Sequence, residues 1–253
     1  MPNVAFGQHI RSPTAITGTM TASYRLHYAP DNASLIVRLV LDELGLAYET
    51  VLVDRRTRAQ KSPAFLALNP SGRIPVLETG DGPIFETAAI LLWLADRHGR
   101  MAPALDNADR AAFLKWLFFV SNTFHAEMRL LFYPETYVGA DSSAQIGLRT
   151  QVKETLADRL GSLESLAATH PAWFGADEPS VFDYYICACL RWLGIYPMEE
   201  TGWFNLGLYP NLGELAVRTE TRAAVRRAIE VEGLGPAPFT APQRPTPPEG
   251  SAL

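Results

Sequence analysis

The stretch YAPDNASLIVRLVLDELGL, Tyr28–Leu46, predicts a strand that turns directly into a helix. An apolar strand reaches Tyr28, a polar turn follows, and leucines recur along one helical face up to Gly45, a typical residue at a helix end. A helix that begins at such a turn presents free N–H groups and the positive end of its dipole, which bind anions. The turn therefore predicts an anion-binding site whose polar side chains include Asn32 and Ser34.

The residues around this stretch predict an α/β domain in the order βαβαββα over residues 23–99. Ser62 and Pro63 form a plausible helix start, and Gly80–Gly82 forms the tip of a hairpin. Two antiparallel strands after a βαβ unit give a mixed sheet. Residues 100–106 contain a proline and are interpreted as a linker.

The pattern is all-helical over residues 107–235, with a long aromatic helix first and one closing helix last. Between them, SVFDYYICACLRWLG is almost wholly apolar and predicts a buried central helix that carries Cys187 and Cys189. The two thiols point in different directions, so we expect them to be reduced core residues. Residues 1–22 are expected to be a polar tail, and the Pro-rich residues 236–253 an extended one, draped on the surface or disordered.

Composition excludes several functional classes. The 253 residues are 47% hydrophobic and 19% charged, with a net charge of −5 and no Lys/Arg cluster, which argues against a nucleic-acid partner. No apolar run approaches the roughly 20 residues that a membrane span needs. The N-terminus lacks the pattern of a secretory signal, and Met20 is an alternative start. Without a disulfide framework, a reducing cytoplasm is expected.

Three motifs then carry a family resemblance: NPSGRIPVLE (69–78), IFETAAILLWLA (84–95) and GADEPSVFDYY (175–185). Pro75 opens a hairpin strand and is predicted to follow a cis peptide bond. Ser180 and Asp183 have the spacing of a capping box, to which we assign a structural role. With the predicted domain order, these motifs resemble the cytosolic glutathione S-transferase superfamily, of the bacterial beta, theta or nu-like type. The expected fold is a thioredoxin-like N-terminal domain followed by an all-α bundle.

The resemblance implies glutathione as co-substrate and no metal. Ile74, before the cis-proline Pro75, would offer its main-chain N–H and C=O to the cysteinyl part of glutathione. Glu86 and Thr87 would hold the γ-glutamyl ammonium and carboxylate, with Thr in place of the more usual Ser. The candidates for the glycyl carboxylate are Arg73 and Lys61, for which a solvated face is the alternative.

The thiol-facing turn departs from the known classes. Asn32 stands where one class has a catalytic Ser, and Ala33 stands where the beta type has Cys, so the covalent Cys route is excluded. The amide of Asn32 can donate to a thiolate. Ser34 is the competing donor, or it only caps the helix. Asp31 replaces the usual Gly, and we expect it to add negative charge near the thiolate.

The resemblance places the electrophile pocket along the first helix of the bundle. The candidate pocket residues are Trp116, Phe119, His125, Arg129 and Tyr133. Ordinary bundle core is the alternative for the aromatic stripe, and a surface or interface position is the alternative for the histidine.

The leading hypothesis is a transferase that joins the glutathione thiolate to a small apolar electrophile. A glutathione-dependent disulfide oxidoreductase that uses no protein Cys and a non-catalytic binding or regulatory protein are the alternatives. A cytoplasmic homodimer with no nucleic-acid or membrane partner is expected by resemblance.

Overall fold

The computed structural model describes residues 24–198 and 200–252. Its sheet has the order β2-β1-β3-β4, with β1 parallel to β2 and antiparallel to β3, and β3 antiparallel to β4. The strands are β1 Tyr24–Tyr28, β2 Tyr48–Leu52, β3 Val76–Thr79 and β4 Gly82–Phe85. This mixed sheet confirms the thioredoxin-like N-terminal domain. The predicted tail 1–22, with the alternative start at Met20, lies outside the described residues.

Three α-helices and a short 3₁₀ turn complete the N-terminal domain. They are α1 Ser34–Glu43, the 3₁₀ turn Ala59–Lys61, α2 Pro63–Leu68 and α3 Thr87–His98. The Oγ of Ser62 accepts a hydrogen bond from the Phe65 N–H at 3.2 Å, so the predicted helix start is confirmed. Both α1 and α3 pack between the sheet and the C-terminal helices, and they contribute to one continuous hydrophobic core.

The C-terminal region is helical, as predicted. Its α-helices are α4 Arg110–Phe119, α5 His125–Phe132, α6 Glu135–Val138, α7 Ser142–Ala167, α8 Val181–Ile195, α9 Pro210–Glu220 and α10 Ala223–Glu232, with 3₁₀ turns at Thr201–Trp203 and Leu206–Leu208. A π-helical turn, Val120–Phe124, interrupts the long aromatic helix. The predicted closing helix is divided in two, because Arg222 has an extended backbone with ψ 144°. Its guanidinium pairs with Glu43 at the end of α1.

Helix α8 is the centre of the bundle. The predicted capping box is present: the Ser180 Oγ accepts from the Asp183 N–H at 3.4 Å, and the Asp183 carboxylate accepts from the Ser180 N–H at 2.8 Å. The same carboxylate accepts from the Gly175 N–H at 2.9 Å. Cys187 and Cys189 are free thiols with no exposed surface, as expected.

A buried ion pair joins α8 to the turn between β1 and α1. The Arg191 Nε and Nη2 donate to the two Asp31 carboxylate oxygens at 2.8 and 3.1 Å, and both side chains are 0% exposed. The indole N–H of Trp192 donates to the same carboxylate at 2.9 Å. The expectation that Asp31 adds negative charge near the thiolate is therefore wrong, since a guanidinium neutralises the charge inside the bundle.

A second buried pair lies beside the first. The Arg38 Nε donates to Glu232 at 2.6 Å, and the other Glu232 carboxylate oxygen accepts from the Asp31 N–H at 2.8 Å. The end of α10, the start of α1 and the centre of α8 are thus tied together by paired charges.

His125 begins α5 and faces two aromatic residues of α8. Its Nδ1 lies 3.0 Å from the Tyr185 hydroxyl oxygen, and its ring centroid lies 5.4 Å from that of Trp192. Burial, with a smaller contribution from the positive charge of Arg129, lowers the pKa of the imidazole to about 4. His125 is therefore neutral in the folded protein at pH 7.

Replacing Arg191 by Met should lower the free energy of unfolding by about 3–5 kcal/mol, because Asp31 stays buried without its cation. Urea unfolding measures the loss. The matched control is Arg227→Met, since Arg227 is half-exposed beside Asp42 and should cost less than about 1 kcal/mol. A double variant, Asp31→Asn with Arg191→Met, should recover part of the loss. If the double variant is as unstable as Arg191→Met or less stable, the buried charge is not the cause.

Stability should fall in acid because of His125. Its folded pKa lies below the unfolded value, so the unfolded chain takes up a proton first as the pH falls below about 6.5. The expected loss is about 2 kcal/mol between pH 7 and pH 5, before other groups contribute. His125→Gln should flatten this part of the urea-unfolding profile against pH. The exposed His170 provides the control, since His170→Gln should keep the wild-type slope. Identical slopes for wild type and His125→Gln would contradict the assignment.

Candidate functional site

Four chain segments meet at one edge of the sheet. Tyr28 is in register with Leu52, and Val76 is in register with both His27 and Phe85. The ends of β1, β2 and β4 therefore lie beside the start of β3. The segments that continue from this edge contain the Asn32 turn, the Arg55 loop, the Ile74–Pro75 bond and the Glu86–Thr87 pair. The edge thus brings together most of the residues that the resemblance assigns to glutathione.

The two candidate thiol donors have different surroundings. The Ser34 hydroxyl is fully buried, donates to the Ala29 carbonyl at 3.0 Å and accepts from the Ala29 N–H at 3.3 Å. The Asn32 side chain is partly exposed and makes no hydrogen bond within residues 24–198 and 200–252, while its carbonyl accepts from the Leu35 N–H at 2.7 Å. The hydroxyl is thus engaged in the turn, and the amide is available for a ligand.

The first turn of α1 suits an anion. It contains no acidic residue, and no side chain caps it. The N–H groups at a helix start lack intrahelical partners, and together with the helix dipole they attract negative charge. A thiolate placed beside Asn32 would face this helix end.

Helix α3, at the far side of the sheet edge, also begins without a side-chain cap. Thr87 is buried at its first position, and the first turn has neither an acidic residue nor a side-chain cap. Glu86 before it is exposed and adopts φ +70°, a strained conformation for a residue with a side chain. Such strain is concentrated at binding sites. A carboxylate can bind at the start of α3, with the Glu86 carboxylate close enough in the chain to pair with a neighbouring ammonium.

The cis peptide bond between Ile74 and Pro75 is present, as predicted. Two predicted cationic residues lie near it. The Lys61 Nζ is 3.4 Å from the Ser71 carbonyl oxygen, and the exposed Arg73 follows two residues later. Lys61 and Arg73 therefore border one loop, next to Ile74.

The predicted pocket residues of α5 lie near the same edge. The Arg129 guanidinium carbon is 5.5 Å from the centroid of the Tyr133 ring, and the Tyr133 hydroxyl accepts from the Arg55 Nη2 at 3.4 Å. Arg55 thereby connects the loop after β2 to the end of α5. The Arg129 Nε is buried without a partner in the part of the chain that the structure describes. His125 begins α5 one helical turn earlier, where it contacts Tyr185 and Trp192 of α8.

Trp116 and Phe119 form a separate pair on α4. Their rings pack edge to face with centroids 5.1 Å apart, and both are partly buried. No hydrogen bond or ring contact among the described residues joins them to His125, Arg129 or Tyr133. The predicted pocket residues thus fall into two groups, of which the α5 group lies nearer the sheet edge.

Sequence reasoning missed Arg55. Its one signal is its position after a strand parallel to β1, which places it at the same edge. A cavity of about 310 Å³ lined by Glu43, Arg100 and Ser180 lies at the opposite end of α1 and is not part of this site.

Two further features concern metals and membranes. Within the described residues, no cluster of three or more His, Cys, Asp or Glu side chains suits a metal ion. The same part of the chain contains no helix with the length and apolarity of a membrane span.

The chain is similar to glutathione S-transferases of known sequence and structure. Residues 33–97 match the family model "Glutathione S-transferase, N-terminal domain". A sphingomonad glutathione S-transferase, solved in complex with glutathione, is 32% identical and superposes with a TM-score of 0.66 over 83% of this chain and 100% of its own.

Curated relatives include both transferases and a disulfide enzyme. The glutathione S-transferase GST-4.5 of Xanthomonas campestris pv. campestris is 27% identical over 83% of this chain and 99% of its own. The disulfide-bond oxidoreductase YfcG of Escherichia coli K12 is also 27% identical, over 83% of this chain and 96% of its own.

The motifs, the thioredoxin-like sheet and the relatives that match over nearly their whole length agree. The chain belongs to the glutathione S-transferase superfamily, and its curated relatives include enzymes named glutathione S-transferases.

Proposed function

We propose that this protein conjugates glutathione to a small apolar electrophile. The observation that carries the proposal is the pair of uncapped helix starts, α1 and α3, at one edge of the sheet. Glutathione carries a carboxylate at each end and a thiol between them. The start of α3 can bind one carboxylate, and the start of α1 can face the thiolate, with the start of β3 between them.

Glutathione is proposed to lie across the sheet edge. Its γ-glutamyl carboxylate binds Thr87 and the first N–H groups of α3, and its ammonium pairs with Glu86. The main chain of Ile74 bonds to the cysteinyl part. The glycyl carboxylate is held by Lys61 or Arg73, both of which are exposed next to that segment.

The thiol is proposed to be activated by Asn32 and the start of α1. A free thiol has a pKa near 8.5, and a donor beside the sulfur together with a helix start favours the thiolate. The Asn32 NH₂ group is unengaged by the rest of the described chain, whereas the Ser34 hydroxyl is committed to Ala29. Asp31 does not oppose activation, because Arg191 neutralises its charge.

The chemical step requires no protein nucleophile. The glutathione thiol releases its proton to solvent, the sulfur forms a bond to an electrophilic carbon, and a leaving group departs with the electron pair. Cys187 and Cys189 cannot take this role, since both are fully buried and burial raises the pKa of each thiol. The electrophile would contact His125, Arg129 and Tyr133, with Trp116 and Phe119 as further candidates.

Glutathione-dependent disulfide reduction is the second candidate. The similarity to YfcG favours it, and the route needs no Cys in the α1 turn, where this chain has none. Glutathione thiolate would attack a disulfide, release one thiolate, and form a mixed disulfide that a second glutathione resolves to glutathione disulfide. A bound pair of glutathiones or glutathione disulfide is expected in that case.

Two assays and one binding measurement separate the alternatives. Conjugation of glutathione to a chlorodinitrobenzene supports the transferase, and reduction of hydroxyethyl disulfide supports the oxidoreductase. Glutathione binding by calorimetry without turnover in either assay would leave only a binding or regulatory role. A cytoplasmic homodimer remains a prediction, which light scattering and fractionation test.

Replacing Asn32 by Ala should lower kcat/KM about 10- to 100-fold, the effect of one hydrogen bond to a charged sulfur. The pKa of bound glutathione, read from the pH profile of kcat/KM and from thiolate absorbance, should rise by about 1–2 units. Asn32→Asp should raise it further, because a carboxylate repels the thiolate.

Ser34→Ala is the matched comparison. It should reduce stability, because the Ser34 hydroxyl holds the Ala29 backbone, and it should leave the pKa of bound glutathione close to wild type. A thiol pKa that moves in Ser34→Ala and stays constant in Asn32→Ala would reverse the two roles.

A further inference from the structure

The chain does not end at α10 but continues as an ordered segment, the C-terminal strap, residues 233–252. Its first part packs on α8 and α10. The Thr246 N–H donates to the Gly233 carbonyl at 2.8 Å, and Phe239 is 1% exposed. Arg191 donates to three strap carbonyls, those of Leu234, Pro238 and Gln243. The buried ion pair of the bundle thus also anchors the strap.

The last residues of the strap reach the thiol-facing edge of the sheet. The carboxylate of Glu249 accepts a hydrogen bond from the Tyr28 hydroxyl, at the end of β1. Gly250 lies so close to the sheet that a Cβ there would be 2.7 Å from Leu52 and 3.3 Å from Pro30. The strap therefore contacts the ends of both parallel strands and the turn that carries Asn32.

The strap also meets the residues assigned to the electrophile. The Ala252 carbonyl accepts from the Arg55 Nη1 at 2.6 Å, and the Nη2 of the same side chain donates to Tyr133. One arginine thereby joins the end of the strap to the end of α5. The distal residues of the strap therefore lie between the turn after β1 and the end of α5.

The two halves of the strap have different partners. Residues 233–246 bond to α8, α9 and α10, whereas the contacts of Glu249, Gly250 and Ala252 are to the sheet edge and its loops. The alignment with the Xanthomonas relative covers 99% of that protein but 83% of this chain, so this chain has residues without a counterpart there.

We propose that the distal strap, residues 247–252, forms one wall of the electrophile site and limits the size of the electrophile. The proposal rests on the transferase function and deepens it by naming a size-restricted substrate class. Flat or small electrophiles fit between Asn32, α5 and the strap. Longer apolar substituents require displacement of the strap. Displacement breaks the hydrogen bonds of the strap with Tyr28 and Arg55.

A chain that ends at Thr246 tests this, since it keeps the Thr246–Gly233 bond and all three carbonyl contacts of Arg191. Glutathione affinity by calorimetry should stay within about twofold of wild type, since no proposed glutathione contact is removed. Affinity for S-hexylglutathione should rise about tenfold, as expected if roughly two more methylene groups become buried. KM for a bulky aryl halide should fall by a similar factor, with KM for a small one unchanged.

Glu230→Gln is the matched control, because it removes an exposed carboxylate from α10 and should change neither affinity. A milder variant, Gly250→Ala, should act like the truncation, because the added methyl group clashes with Leu52. Thermal melting of each variant verifies that the fold is retained. The proposal that the strap forms a wall is wrong if truncation changes the affinities for glutathione and S-hexylglutathione equally, or if it weakens S-hexylglutathione binding.

Failure of the transferase itself can be told apart from failure of the strap. If neither the full chain nor the truncated one binds glutathione, the proposed function is wrong. Binding of anilinonaphthalene sulfonate to the newly opened space then tests the strap alone. Stronger binding by the truncated chain than by the full chain and by Glu230→Gln supports a covering role, and no difference overturns it.

Discussion

The buried ion pair between Asp31 and Arg191 is the interaction on which the arrangement of this molecule depends. Removing two charges from water costs several kcal/mol for each ion, and the pair persists only if further hydrogen bonds satisfy both groups. Here the indole N–H of Trp192 donates to the Asp31 carboxylate, and backbone carbonyls of the C-terminal strap accept from the Arg191 guanidinium. One interaction thereby fixes the α1 turn, the central helix and the strap relative to one another.

As a consequence, the two neighbouring polar side chains of the turn, Asp31 and Asn32, have different surroundings. Asp31 takes φ +49° and directs its carboxylate into the bundle, where its charge is neutralised. Asn32, the next residue, is partly exposed, and its amide has no hydrogen-bond partner within residues 24–198 and 200–252. A residue that in isolation would repel a bound anion instead holds the turn before α1 in place through its pair with Arg191.

Helix starts within the N-terminal domain show the same division between stability and function. Ser62 caps α2 with its own side chain, and this helix has a structural role. At the sheet edge, α1 and α3 have no such side-chain cap, although the Leu35 N–H in the first turn of α1 donates to the Asn32 carbonyl. A cap is worth about 1 kcal/mol, and leaving two helix starts open is a cost that a bound anion can offset.

The sequence by itself determined the features whose signals are local. Helical and strand periodicity, the Ser62 cap, Pro75 and the box of Ser180 and Asp183 each depend on residues a few positions apart, so one chain suffices to read them. The same signals, assembled in order, identified the fold and most of the residues at the sheet edge.

Only the tertiary structure decided which distant groups pair. Asp31 meets Arg191 160 positions away, Glu43 meets Arg222 179 positions away, and Tyr28 meets Glu249 221 positions away. These contacts reversed the expected effect of Asp31, joined the start of the last helix to α1 and brought the strap to the sheet edge. The sequence does not show which partner a charged side chain has, because Coulombic attraction depends on separation in space and on burial. Both are defined only once the chain has folded.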